Sequence, residues 1–297
     1  MLSGKGTNPE KCPNCGGIKF SEINWLCDEC LAAVKKEALK LIHEFLLSDF
    51  GFKENDLAIR FSGSRGYHII IKNETVRELS QVGRREIVSY IRAEGLFPQF
   101  HGLRVEGKNL IGPKRTEPGW RGRLAKIAQE FIKRANIEDL KQLPEIGEKS
   151  AIKIFENKAR IIKALQEGYW DVLPIKNPGN FWSNIVKIEA IELSGEIDQP
   201  VTADIKRLIR LPSTLHGKTG LMATQILIDS LEDFDPLLDA VTFGKKEISV
   251  QIKKAPKFRL GESSFGPFEN EKVTLPEAAA IFLTCKGVAI LDGKNNL

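Results

Sequence analysis

Four cysteines of the 297-residue chain stand close together: Cys12, Cys15, Cys27 and Cys30 form two CxxC knuckles separated by eleven residues. Two such knuckles turn four thiolates onto one tetrahedral ion, and zinc (Zn²⁺) is the natural occupant. With four protein ligands no coordination position remains for water, so the ion's work is structural. Pro13, Asn14, Gly16 and Gly17 suit the sharp turn of the first knuckle, while Asp28 and Glu29 fill the second. Two further segments carry chemistry of another kind. The run Phe61-Ser62-Gly63-Ser64-Arg65-Gly66-Tyr67-His68 gathers a hydroxyl, a guanidinium and an imidazole around two glycines. Glycines let a backbone approach phosphate oxygens, and Arg65 can clamp them with two parallel hydrogen bonds. The same run also fits an ordinary β-turn with a surface arginine. Between Gly195 and Gly220 stand Asp198, Asp204, Lys206, Arg207, Arg210, His216 and Lys218. A carboxylate at one end can bind Mg²⁺ or Mn²⁺, while Arg210, His216 and Lys218 neutralise a triphosphate. A solvated strand ending in a polar turn is the alternative.

The elements that must hold these groups are read from periodicity. From Leu31, a helical pattern places Val34, Ala38, Ile42 and Phe45 on one apolar face. Gly51 and Asn55 precede two apolar runs, Leu57–Phe61 and Tyr67–Ile71, which read as strands flanking the small-residue turn. Residues 102–120, rich in Gly, Pro and Arg, read as a basic loop or insertion boundary. Residues 121–172 read as a small helical subdomain that Asn177, Pro178 and Gly179 close. The remainder mixes strand-like runs at 185–193 and 201–211 with short helices such as 275–284. Alternation along 201–211 would put Asp204, Lys206 and Arg210 on one face and Ile205, Arg207 and Ile209 on the other. The expected fold is α/β. A cysteine module spans 1–32, a sheet core 33–101 and 173–297, and a helical insertion 102–172.

Composition adds limits. Forty-four Lys and Arg against 39 Asp and Glu leave a net charge of +5, which fits a polyanion partner without requiring one. Lys35, Lys36, Glu37 and Lys40 interrupt the best apolar stretch, 31–47, so no membrane span is expected. The polar start lacks a signal-peptide core. A cytoplasmic chain is expected, and a reducing cytosol disfavours reading the four cysteines as disulfides. Cys285, alone in an apolar stretch, reads as a buried structural thiol.

Taken together and in order, the zinc cysteines, the helix, the SGSRGYH turn, the helical insertion and the segment DQPVTADIKRLIRLPSTLHGKTG resemble the small catalytic subunit of archaeal and eukaryotic DNA primases. The resemblance implies a primase-type catalytic sheet domain and template-directed nucleotidyl transfer with two metal ions, Mg²⁺ or Mn²⁺, besides the structural zinc. It implies that Asp198 is the third metal carboxylate, with Asp204 the second choice. It gives Ser62, Arg65, His68, Arg210, His216 and Lys218 to the phosphates of the incoming nucleoside triphosphate. Its partners would be a single-stranded DNA template and a large, iron-sulfur-bearing subunit in a heterodimer.

One departure matters. The family carries an Asp-x-Asp pair on a strand preceding the zinc knuckle, whereas the eleven residues before Cys12 hold only one acidic residue, Glu10. The expectation is a chain cut just after that pair and unable to polymerise nucleotides alone, because one carboxylate cannot hold two divalent ions. Asp233 and Asp235 form the chain's only Asp-x-Asp, and read as a turn entering a helix at Pro236. Two rivals stand beside this reading. Residues 140–151 resemble a helix-hairpin-helix in which Glu145 replaces the first glycine and repels phosphate, giving a non-enzymatic zinc and helix-hairpin-helix DNA-binding protein. A repair-type polymerase of the same superfamily is the other, and it is not expected to carry the zinc cysteines.

Overall fold

The computed structural model describes residues 23–144 and 146–292, with Lys11 and Ile18 before them. Helix α1 (Asp28–Lys40) starts where the Cys27 sulfur caps it by accepting the Cys30 backbone N–H at 3.3 Å. Its turns widen into a π-helical stretch over Leu41–Leu47. That stretch serves two cores: Ile42 and Leu46 face one, Phe45 the other.

Strands β1 (Leu57–Phe61) and β2 (Tyr67–Ile71) form an antiparallel hairpin with the bounds that the apolar runs predict, Arg60 opposite His68. Helices α2 (Glu74–Arg77) and α3 (Gln81–Ile91) follow. Residues 102–120 are more ordered than the basic loop expected of them, because β3 (Arg104–Glu106) and β4 (Asn109–Ile111) pair as a small hairpin there. Helices α4 (Gly119–Arg134), α5 (Ile137–Lys141), α6 (Glu148–Glu156) and α7 (Lys158–Glu167) fill the stretch read as helical. In the helix-hairpin-helix candidate, Leu140, Ile146, Ala151 and Ile154 are buried between α5 and α6, and Glu145 lies outside the described residues.

Two expected strands are absent. Residues 185–193 belong to α8 (Pro178–Leu193), and Pro178 opens this helix rather than closing the helical unit. Ile185, Val186, Ile188 and Ile191 favour strands by side-chain shape. The buried set Phe181, Trp182, Ile185, Val186 and Ala190 nevertheless repeats at helical spacing and packs against α4. Residues 201–211 begin inside α9 (Gln199–Ala203), which Asp198 caps and Pro200 starts, and then run irregularly. Ile205, Leu208 and Leu211 are exposed and pair with no strand, so the alternation never places Asp204, Lys206 and Arg210 on a sheet face.

The chain ends with β5 (Gln225–Ile226), α10 (Pro236–Asp239), β6 (Glu247–Ala255), β7 (Phe258–Leu260), β8 (Ser263–Phe265), β9 (Phe268–Pro276), α11 (Glu277–Cys285) and β10 (Ala289–Leu291). Asp235 caps α10, as a turn entering a helix requires, and α11 starts two residues later than expected because Leu275 and Pro276 finish β9. The sheets run β2-β1-β5 and β10-β6-β9. One face of β2-β1-β5 sends Ile59, Phe61 and Ile226 into the first core, which α1, α11 and the second sheet complete. Trp120, Trp170 and Trp182 centre the second core among α4, α7 and α8. Among the described residues no helix is long and apolar enough to cross a membrane.

Candidate functional site

The other face of β2-β1-β5 carries polar groups beside the apolar pair Ala58 and Ile70. His68 on β2, Arg60 on β1 and Gln225 on β5 stand in one cross-strand row, and the pleat brings Ser62, two residues past Arg60, to the same side. The turn that follows β1 is closed by Ser62. Its N–H donates to the Gly66 carbonyl at 2.8 Å, and its Oγ accepts the N–H groups of Gly66 (3.1 Å) and Ser64 (3.4 Å). The hydroxyl proton stays available to a ligand.

Residues 216–220 form a second tight turn against the first. The N–H of Gly220 donates to the His216 carbonyl at 2.8 Å, and the Lys218 N–H donates to His216 Nδ1 at 3.2 Å. The Thr219 hydroxyl, 1% exposed, donates to the Gly63 carbonyl and accepts the Leu221 N–H at 3.2 Å. Gly63 has a φ of 80°, which favours glycine, and a Cβ there would stand 2.8 Å from His216 Cβ. Two segments about 150 residues apart in sequence are thereby locked together.

Ser62, His68, Arg210 and His216 line one cavity of about 260 Å³ together with Val201, Arg207, Leu208 and Ile209. It shares Ser62, His68, Val201 and Ile209 with a groove of about 520 Å³ that follows β2 and reaches Asp198. Arg65 and Lys218 are exposed at the tips of their turns; burial first, then repulsion from these two, lowers the pKa of the Lys286 ammonium. Burial, then the charges of Arg210, Lys286 and Lys218, hold His216 below the usual histidine range; burial, Arg210 and Arg60 do the same to His68. Both imidazoles therefore favour the neutral form. With Nδ1 of His216 accepting a hydrogen bond, its proton sits on Nε2.

Asp198 borders the groove and accepts the Val201 N–H at 3.3 Å as the cap of α9. Asp204 lines neither space and instead accepts the Lys206 N–H at 2.9 Å. Cys12 and Cys15 lie outside the described residues; Cys27 and Cys30 are exposed at the start of α1, with the N–H···S geometry already given. Among the described residues no three His, Cys, Asp or Glu side chains converge as a metal site would require.

Three site residues escaped the sequence reading. Arg60 was findable, since strand period places it on the Ser62 side; its Nε is buried without a hydrogen-bond partner among the described residues. Thr219 sits inside the turn already singled out. Lys286 belongs to the far end of α11 and no local pattern points to it.

A family model for the DNA primase small subunit matches residues 23–228. Similar proteins named DNA primase small subunit PriS occur in Methanothrix thermoacetophila, 39% identical over 284 residues covering 88% of this chain and 71% of that protein. Others come from Haloarcula marismortui (35% identical, 86% and 68% covered) and Cenarchaeum symbiosum (32% identical, 96% and 68% covered). With the family matched across both turns and Asp198, the chain belongs to the DNA primase small-subunit family.

Proposed function

We propose that this chain acts as the catalytic subunit of a DNA primase, joining nucleotides into short primers on a single-stranded DNA template for replication, and that the described residues form its triphosphate-holding part. The observation that carries this reading is the cavity shared by Ser62, His68, Arg210 and His216 beside the groove that Asp198 borders. In the reaction a 3′ hydroxyl oxygen bonds to the α-phosphorus of the next nucleotide as the bond to pyrophosphate breaks. Negative charge grows on the departing phosphates, and cations already in position stabilise it without reorganising. Arg65, Arg210 and Lys218 supply full charge. Neutral His68 and His216 supply N–H donors, and Ser62 its hydroxyl.

Mg²⁺ or Mn²⁺ would bind through phosphate oxygens and Asp198. Glu37 and Glu196 line the same groove, but Glu37 Oε2 accepts the Glu196 N–H at 3.2 Å and no three carboxylates converge among the described residues, so this donor set does not fit a two-ion site by itself. Polymerisation therefore needs further carboxylates from outside the described residues. The four cysteines would hold one structural zinc, and a primase large subunit would complete a heterodimer.

The test is calorimetric binding of a nucleoside triphosphate with Mn²⁺ to the purified 297-residue chain. Saturable binding that His216→Ala removes is expected, with no primer synthesis by the chain alone. Binding of DNA but of no nucleotide would return the zinc-bearing DNA-binding reading. A preference for gapped duplex over an unprimed single strand would favour the repair-type polymerase. Primer synthesis by the chain alone, abolished by Asp198→Ala, would overturn the carboxylate argument.

A further inference from the structure

We infer that Lys286 is a further cation of the triphosphate site, holding the terminal phosphates; the inference rests on the nucleotide reading above. Lys286 caps the C-terminal end of α11, and the 216–220 turn lies directly on that end. A Cβ on Gly220 would stand 3.0 Å from Ile281 Cγ2 and 3.7 Å from Cys285 Sγ, so the turn's backbone rests directly on these two side chains of the helix. The same turn is fastened to Gly63 through Thr219 and His216. Three distant segments, 62–68, 216–220 and 285–286, thus bring Arg65, Lys218 and Lys286 together.

The placement of Lys286 is built rather than incidental. Its stem passes over the Phe282 ring, with Nζ 5.4 Å from the centroid, and Nζ donates to the Asn24 carbonyl at 2.7 Å. An ammonium carries three donors, and this carbonyl takes one. Among the described residues no carboxylate pairs with Arg65, Lys218, Lys286 or Arg210. Half-burial and the repulsion of Arg65 and Lys218 lower the pKa of the ammonium, an unfavourable grouping that a dense polyanion relieves.

The order of groups decides which phosphates. Asp198 borders the groove with Ser62 and His68, and these two share the cavity with His216. Lys286 ends the helix on which the 216–220 turn rests and lines neither the groove nor the cavity, so it stands behind His216, at the end of the row away from Asp198. A triphosphate laid along this row with its reacting phosphorus toward Asp198 puts its last two phosphates among Lys218, Arg65 and Lys286.

The test measures dissociation constants for nucleoside tri-, di- and monophosphate with Mn²⁺ on the full chain and on Lys286→Met and Lys286→Arg. Lys286→Met should weaken triphosphate binding about tenfold, the scale of one charge-assisted hydrogen bond, leave the monophosphate unchanged, and be rescued by Lys286→Arg. An equal loss for all three nucleotides would mark Lys286 as a structural strut and overturn the inference. So would a wild-type chain that prefers triphosphate to monophosphate by a ratio that Lys286→Met keeps, with the nucleotide reading left standing. A wild-type chain that binds no nucleotide removes both. Should Lys286→Met not fold, acetylation of the unaltered chain decides: triphosphate, but not monophosphate, should protect Lys286 when read by mass spectrometry. Absence of that protection counts against the inference.

Discussion

Gly63 lies directly under His216: a Cβ at position 63 would stand 2.8 Å from His216 Cβ and 2.9 Å from the Leu221 carbonyl oxygen. Neither neighbour is the far end of a flexible side chain. Gly63→Ala adds this clash to a left-handed backbone that alanine resists, so a loss of about 1–3 kcal/mol is expected. The turns should also part, weakening triphosphate binding. Urea unfolding and calorimetry check the two effects, and a Gly63→Ala chain with unchanged stability would refute the packing argument.

Thr219 tests the same lock by its hydrogen bonds. Thr219→Val keeps the shape but leaves the Gly63 carbonyl and the Leu221 N–H without their buried partner, at a cost of about 1–3 kcal/mol. Thr219→Ser keeps the hydroxyl and should lose less. Denaturant midpoints of the two variants, compared at equal slope, decide it.

These two turns also mark how far the sequence could be read. Glycine and serine at fixed places gave the turn after β1, and the strands on either side fell where their apolar runs stop. Residues 185–193 misled because β-branched Ile and Val carry strand preference, while the face that meets α4 is decided by packing across the helical layer. Residues 201–211 misled for another reason. Alternation there is real in the sequence, but Asp198 and Pro200 start a helix before any strand can form, and no strand among the described residues pairs with it. Lys286 was illegible because its meaning comes from three segments that meet only in the folded chain.

Helix α4 is tied to the turn after the π-helical stretch through Arg123 and Asp49, with Arg123 Nη1 2.6 Å from Asp49 Oδ2 and side chains 10% and 3% exposed. The Tyr90 hydroxyl donates to the same carboxylate oxygen at 3.0 Å, and the guanidinium lies 4.3 Å over the Phe45 ring. Asp49→Ala leaves the largely buried Arg123 with only the Glu44 carbonyl at 2.8 Å and the Glu44 carboxylate at 3.9 Å, and should cost about 3 kcal/mol, more than the replacement of both partners together. A double-mutant cycle with Arg123→Met measures this difference.

Protonation gives a fourth handle. His216 and His68 both titrate below the usual value of about 6.5 in the folded chain, so the unfolded chain takes up protons first as pH falls. Their contribution therefore lowers stability below about pH 6.5 and is absent well above it. A bound triphosphate reverses the bias, because its negative charge opposes Arg210, Lys218, Lys286 and Arg60. Binding near pH 6 should take up protons, and affinity should rise as pH falls, by up to about tenfold per pH unit for one coupled proton. Calorimetry in buffers of different ionisation enthalpy reads the uptake, which His216→Gln combined with His68→Gln should remove.

Asp198 and Asp204 separate on geometry alone. Asp198 borders the groove it shares with Ser62 and His68, so its carboxylate can join an ion carried in on the phosphates. Asp204 turns to its own local backbone and lines neither space. Asp198→Asn should therefore reduce the gain in triphosphate affinity that Mn²⁺ confers, while Asp204→Asn leaves that gain intact. Asn can still cap α9 in place of Asp198, so the expected loss is of the ion and not of the helix. Titrating each variant with triphosphate in Mn²⁺ and again in EDTA isolates the metal-dependent part. If Asp204→Asn removes it and Asp198→Asn does not, the carboxylate assignment passes to Asp204, and the loop after α9 must rearrange when nucleotide binds.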